Sequence, residues 1–569
     1  MPHNPPTREQ SPTSPSNVAD TETPSERLWP NISPSRFWII FVSLWLSLFM
    51  STIDTTIVTT ALLPIGEELP SKLSPSWLLV SYLLTYTSFL LVSSSICEVF
   101  SIKTVLLFCN IGFLVTSLLC SLARDMEELV IFRAIQGATA SGLYNLPFVV
   151  VLKVVEPKKV SLYTTLIGGV FVMANLLGPI LGGILASAGK WRVMFEMNIP
   201  IATVAFLLLF IAGPGESGPF FKRSHWQSVD CIGGLMSIVW VAPVVLALQE
   251  GGAEWPWDSI IIRCLLIGGG ALMVIFIWYE VFYLTKWNAK INPVVPGSLF
   301  RCASIFWLMV NALFVGATFY GAITILPSRL QIVNDMSARS AGLHLLVIMM
   351  TVPMGAMSGA EISHRFVYGA QWVALLGSIM VLIGSVLLTF LPGGQETPVS
   401  SWFAQCHLGI GFGFLGAIAL FVQKDNVSCR ELGVAISIYD MARAMGGTIG
   451  VAICSAIGHK NLRNEFAKVL PANAAGSLLQ LSFGSISHLS PDNQRLAREA
   501  YGNVFGYEFQ ALAVAAGINV FVAIAMVWTR YFVGFSLRRR GDGPYQYWRQ
   551  EEESEREDVS AEGDLRTSQ

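Results

Sequence analysis

A carboxylate set inside an apolar stretch is the feature of this chain with the clearest chemical consequence. Asp54 stands in STIDTTIVTTALLP, Arg133 in VIFRAIQGATASG, and Asp440 with Arg443 in AISIYDMARAMGGTIGVAI. A charged side chain at the centre of a lipid-crossing helix costs about 2.5–3.5 kcal/mol on insertion scales, so each of these is a candidate for function. The chemistry open to an intramembrane carboxylate is to take a proton from one side and release it to the other. A nearby cation and the degree of burial together set its proton affinity. Asp440 and Arg443 are i,i+3 neighbours on one helix face, which suits a proton or substrate role and equally a self-neutralised pair that makes burial tolerable. Asp54 has its own structural alternative, a carboxylate that only hydrogen-bonds threonines of its own helix. A histidine side chain in water titrates near neutrality, but no spacing pairs His344, His364 and His407 into a relay. Glu196 and Glu280 lie near helix ends, where snorkelling to water is the simpler account.

The elements that must position these groups are membrane spans. Of the 569 residues 53% are hydrophobic and only 13% charged, against about 25% in soluble domains, so the chain is a multi-pass membrane protein. The net charge of −2 argues against a nucleic-acid partner. Nine cysteines, scattered and without a C-x-x-C pair, read as small buried hydrophobes and form neither a disulfide framework nor a metal site. No G-x(4)-G-K-[ST] loop is present, so ATP is not the energy source and no cofactor is expected. No nucleophile–base pattern lies within the spans, and the chain is not read as an enzyme.

Apolar runs of about 20 residues, the length that crosses roughly 30 Å of hydrocarbon, occur near 37–65, 77–97, 103–123, 128–152, 160–188, 193–213, 229–248, 259–283, 302–326, 341–361, 370–392, 401–422, 431–458 and 508–533. These are fourteen spans. At 1.5 Å per residue Asp54 lies roughly 16 Å, and Arg133 about 9 Å, from the outer end of its span. Basic residues such as Lys103, Lys153, Lys158 and Lys159 concentrate in the loops that are inside when both ends are cytosolic, which fixes the orientation. Residues 1–35, rich in Pro, Ser and Thr, and 536–569, with EEESEREDVSAEGD, read as disordered cytosolic tails. In the long outer loop 459–507 the polar stretch SPDNQRLAREAYGNVF suits a short amphipathic helix on the outer surface.

The fifth span, together with the turn and the start of the sixth span beyond it, reads TTLIGGVFVMANLLGPILGGILASAGKWRVMFEMNIPI. In water each interior Gly would cost about 1 kcal/mol and Pro about 3. In lipid a face of small residues is instead a surface on which another helix packs closely. Gly169, Gly178, Pro179, Gly182 and Gly183 follow G-x(8)-G-P-x-x-G-G, and WRVMFEMNIP comes next. This resembles the antiporter signature of the major facilitator superfamily, specifically its fourteen-span drug:proton antiporters of fungal type. The likeness extends to the first-span motif around Asp54, to R-x-x-Q-G at Arg133 and Gln136, to the connector LALQEGGAEWPWDS, and to the pattern through Arg443, Gly446, Gly447 and Gly450.

The resemblance implies an all-α membrane protein of the major facilitator fold with 14 transmembrane helices. Residues 36–213 and 301–535 would be two six-helix bundles, with two inserted helices in 214–300. It implies that the first and fourth spans are neighbours, so that Arg133 can pair with Asp54 or with a substrate. It implies a monomer in the lipid bilayer exporting small amphipathic organic molecules such as toxins, drugs or secondary metabolites in exchange for protons by alternating access. The plasma membrane is the expected site, with a vacuolar or other internal membrane as the alternative. The same fold running as an importer of a siderophore or nutrient, or as a non-transporting receptor, is the competing reading. Where the family carries the inner gating motif G-x-L-x-D-x-x-G-R-K, this chain reads SSICEVFSIKTVLL. Glu98 and Lys103 remain as the inner gate, one carboxylate and one cation, which puts tight coupling in doubt.

Overall fold

In a computed structural model of the chain, the structure describes residues 33–69, 71, 73–155, 157–213, 230–251, 255–280, 302–366, 369–391, 398–427, 432–469 and 490–538. The two tails read as disordered, apart from their innermost residues, and the LLQLSFGSISHL part of the outer loop lie outside these residues.

The first half opens with α1 (Pro34–Ile57), started by a proline at its first turn, where the missing N–H is one that a helix leaves unbonded anyway. α1 tightens into a 3-10 turn at Val58–Thr60 before α2 (Leu62–Glu68). The cause is local. Thr55, Thr56, Thr59 and Thr60 each return a hydroxyl to the carbonyl three residues earlier, which competes with the regular ladder and bends the helix. Then come α3 (Trp77–Val99), α4 (Ile102–Leu122), α5 (Met126–Val154), α6 (Pro157–Ser187), the short α7 (Val193–Glu196) and α8 (Asn198–Ala212). Ser101 caps α4 through Thr104 N at 3.1 Å, and Asp125 caps α5 through Glu128 N at 2.8 Å.

Next come α9 (Cys231–Val239) and α10 (Val241–Glu250), one apolar stretch broken at Trp240, followed by α11 (Ile260–Trp278). The end of α10 is tied to α3, because Trp77 Nε1 donates to Glu250 Oε1 at 2.6 Å and Gln249 donates to Ser76. The second half is α12 (Ala303–Ile332), α13 (Ala338–Arg365), α14 (Gly369–Thr389), α15 (Val399–Asn426), α16 (Leu432–Val469) and α17 (Pro491–Arg538).

Twelve of these helical stretches are long and apolar enough to cross a membrane. α3, apolar over Trp77–Leu90, and α5, of 29 residues with Arg133 inside, are also long enough, and counting them as crossings gives the fourteen expected. Large apolar side chains such as Phe108, Ile211, Ile267 and Phe521 are mostly exposed, as a surface meant for hydrocarbon requires.

Within each half the helices pack along their small-residue faces. Between halves the pattern is reciprocal: α6, the fifth long helix of the first half, lies on α13, the second of the other, while α3, the second, lies on α16, the fifth. α16 and α17, of 38 and 48 residues, are about 57 and 72 Å long and exceed the roughly 30 Å of hydrocarbon. The polar stretch expected as a separate surface helix is therefore helical but continuous with the last span. Its N-terminal part is joined to α16 by Asn503 Nδ2 donating to Glu465 Oε2 at 3.1 Å and by Tyr501 edge-on to Phe466.

Candidate functional site

Asp54 lies on α1 just before the 3-10 turn and is fully buried, as are Arg133 and Gln136 on α5. The structure brings the three together. Arg133 Nη1 forms an ion pair with Asp54 Oδ2 and also donates to Gln136 Oε1 at 2.9 Å, while Arg133 Nε donates to the Leu78 carbonyl at 3.2 Å. Asn198 Nδ2, at the start of α8, donates to Asp54 Oδ1 at 3.0 Å. Gln136 Nε2 in turn donates to Ser117 Oγ at 2.9 Å on α4. The guanidinium lies 4.2 Å from the centre of the Tyr82 ring and 5.7 Å from that of Phe195, a cation–π arrangement. Gly137 makes this possible, since α3 approaches there so closely that a Cβ would collide with the Tyr82 carbonyl.

The threonines around Asp54 bond backbone carbonyls instead of its carboxylate, so the own-helix alternative does not describe this geometry. Removing two charges from water costs several kcal/mol per ion, recovered only where both are hydrogen-bonded as well as paired. Here the carboxylate has a cation and an amide. Arg133 Nη2 has no acceptor among the described residues.

Asp440 and Arg443 share one face of α16, with Arg443 Nη2 3.5 Å from Asp440 Oδ1. A third group, from the other half, completes the cluster. Tyr144 on α5 donates its hydroxyl to Asp440 Oδ1 at 3.2 Å and accepts from Arg443 Nη2 at 2.8 Å. Next to it Ser437 Oγ donates to Asn145 Oδ1 at 2.7 Å, a second bond between halves.

The Gly-Pro helix serves two interfaces. Gly178 and Gly182 pack against Thr56, Ile57 and Thr60 of the first helix, while Gly183 packs against the Ala338 backbone and the Pro179 carbonyl against Gly342 of α13. Backbone lies on backbone at each contact, which only residues without a large side chain allow. Gly169 is not part of either interface: it is exposed, with open space where a Cβ would go.

Of the inner-gate pair, the Glu98 side chain lies outside the described residues, and Lys103 Nζ donates to the Gly213 carbonyl at 2.6 Å and the Phe210 carbonyl at 3.3 Å, at the C-terminal end of α8. His344 stacks on Trp402 and His407 bonds the Phe403 carbonyl of its own helix, so these two form no relay; the His364 side chain is outside the described residues. Glu196 is exposed as expected, but Glu280 is a correction: it is 1% exposed, turned inward beside Gly233 and Asp230 rather than out to water.

Glu68 pairs with Arg192 and accepts from Trp191 Nε1 at 2.7 Å, clamping α2 to the turn after α6. Burial alone would push the Glu68 carboxyl up, but the hydrogen bonds from Arg192 and Trp191 outweigh it and hold it below the usual carboxylate range. A carboxyl lowered by folding stabilises above its unfolded pKa, and that contribution is lost as pH falls through the lower folded value. Glu68→Gln is therefore expected to lower the thermal midpoint of the purified protein at neutral pH. The gap to the parent should close as pH drops below about 4.3, the ordinary glutamate value; a gap independent of pH would contradict the clamp.

Asn198, Glu68, Tyr82, Tyr144 and Asn145 are the members that sequence reasoning did not assign. Asn198 and Glu68 had a signal, a polar residue bordering an apolar run in FEMNIP and GEELP. Tyr144 had none, since a tyrosine on an apolar face is unremarkable until the opposing helix is known.

The family model described as Major Facilitator Superfamily matches residues 44–451. "MFS-type transporter FPY5" of Fusarium mangiferae is 31% identical over 86% of this chain and 84% of its own length. "Efflux pump aflT" of Aspergillus parasiticus is 26% identical over 88% of this chain and 96% of its own length. Among solved structures, a bacterial homologue of the human lysosomal transporter Spinster in an inward-facing, unoccupied conformation superposes with a TM-score of 0.60 at 14% identity, over 87% of this chain and 98% of that one. At that identity the likeness concerns the fold alone.

Proposed function

The chain belongs to the Major Facilitator Superfamily, and on that premise we propose that it is a secondary active transporter that exports small amphipathic organic molecules in exchange for protons. The export direction is supported by relatives that are efflux pumps, such as aflT. Alternating access is supported by the reciprocal packing of α6 on α13, through Gly183 and Gly342, and of α3 on α16, contacts about which two halves can rock. The observation that carries the proton part is the Asp54–Arg133 pair. It is a carboxylate with no exposure, held by one cation and one amide on helices of the same half, so protonating Asp54 frees Arg133 and changes what the half can hold. The chain works as a monomer in the plasma membrane, with fourteen crossings and both ends cytosolic.

Cells producing the protein are expected to retain less of an amphipathic dye than cells without it, and inside-out vesicles from them to take the dye up. Greater retention would reverse the direction to import. A tag after Gln569 should be protected from external protease in intact cells while one near Ser490 is cut. An exposed C-terminus would require an odd number of crossings.

A further inference from the structure

The Tyr144–Asp440–Arg443 cluster shows which ligand chemistry the space between the halves accepts. Tyr144 is a phenol held like a ligand: its hydroxyl sits between a carboxylate and a guanidinium, and its ring lies edge-on to Tyr86 at 5.6 Å and tilted against Phe171 at 5.4 Å. The acceptor half supplies the charged pair and the Tyr320 ring, which rests on Gly447 one turn beyond Arg443. Phe148 stacks on Phe171 and extends the aromatic wall.

The pair is deep, with Asp440 eight residues, about 12 Å, in from Leu432. Yet the side chains of Arg443 and Asp440 keep 20% and 13% exposure, so an entering molecule can reach them. Arg443 and Asp440 are separated by 3.5 Å, the limit of a hydrogen bond, and Tyr144 has the shorter contact to each. The hydroxyl from the opposite half, rather than the ion pair itself, is the better-bonded partner. A hydroxyl brought by a ligand makes the same two bonds.

We propose that the substrates are planar aromatic molecules bearing a phenolic or enolic hydroxyl, and that this hydroxyl competes with Tyr144 for Asp440 and Arg443. The inference rests on the exporter reading in taking the space between the halves as the substrate site. Displacing Tyr144 also breaks a bond between the two halves, which ties occupancy of the site to their separation. The walls stack on the flat ring and the charged pair selects its hydroxyl, so the ether of the same ring is a poor ligand.

The test uses the purified full chain in lipid nanodiscs and equilibrium dialysis with alizarin, a planar aromatic diol, and with its dimethyl ether. Alizarin should bind at least about ten-fold tighter than the ether, the size expected for a hydrogen bond to a charged group. Arg443→Gln and Arg443→Lys should both erase that preference. Tyr144→Phe keeps the ring and removes the competing hydroxyl, so it should tighten alizarin binding by a few-fold, about the effect of one neutral hydrogen bond. Equal binding of diol and ether, no binding of alizarin, or weaker alizarin binding in Tyr144→Phe would overturn the proposal. Binding is blind to direction and energy source. Failure of export with the preference intact would count against the exporter reading alone, and loss of the preference with export intact against the ligand class alone.

Discussion

Arg133→Leu is expected to destabilise the folded protein by about 3–5 kcal/mol, the cost of leaving a buried carboxylate without its cation. The magnitude reflects the burial of both partners at 0% side-chain exposure and the single further hydrogen bond that Asp54 accepts among the described residues, from Asn198. The informative result is the double variant. Asp54→Asn in the same background removes the stranded charge while keeping the shape and the contact with Asn198, so most of the lost stability should return. Thermal unfolding of the parent, the two single variants and the double variant in one detergent gives the cycle. A double variant as unstable as the two singles combined would mean that Arg133 and Asp54 do not act on each other.

Gly182→Leu is expected to stop transport. A Cβ at Gly182 would run into the Ile57 carbonyl and Thr60, and one at Gly178 into Thr56 and the Ile57 backbone. The Ile57 backbone that both would meet lies at the end of the helix that carries Asp54 and cannot rotate aside as a side chain can. Over-packing of this kind costs about 1–3 kcal/mol. Falling on one conformation and not the other, such a cost shifts a two-state equilibrium by about five-fold to about 150-fold. Gly178→Leu should behave alike, with insertion in the membrane retained. Gly169→Leu is the control from the same motif, where the space is open, and it should export normally. Export by Gly182→Leu at the parent rate would mean that this face does not pack during the cycle.

The spans were legible because composition forces them: with 13% charged residues, the periodicity of lipid-crossing runs is the strongest signal in the chain. The pairing of Asp54 with Arg133 was legible only through the family resemblance, since 79 residues separate them and no local pattern links helices so far apart. The breaks were not legible. The 3-10 turn at Val58–Thr60 depends on threonines returning hydroxyls to the backbone, a choice that residue type permits but does not compel. Glu280 was misread because position near a helix end says nothing about which side of the helix meets a neighbour. Gly169 shows the same limit within a motif: five positions match the pattern, and four lie at helix contacts.

Tyr144 marks the deepest gap between sequence and site. Asp440 and Arg443 share a helix, so their proximity is local and was read from their spacing, but the hydroxyl that joins them comes from nearly 300 positions away. Only the packing of one half on the other supplies that contact. The alternatives of a self-neutralised pair and a working site were both open in the sequence, and the cross-half phenol adds a partner that neither spacing nor helix face foretold.

Whether Asp54 couples protons to export is settled most directly in reconstituted vesicles under an imposed pH gradient, with substrate and proton fluxes measured together. The parent should move substrate against its gradient and release protons in proportion. Asp54→Asn keeps shape and hydrogen bonding but cannot titrate, so it should bind substrate, fail to concentrate it and carry no coupled protons. An Asp54→Asn protein that still drives substrate uphill and still moves protons would contradict the account and pass the coupling role to Asp440 beside Arg443.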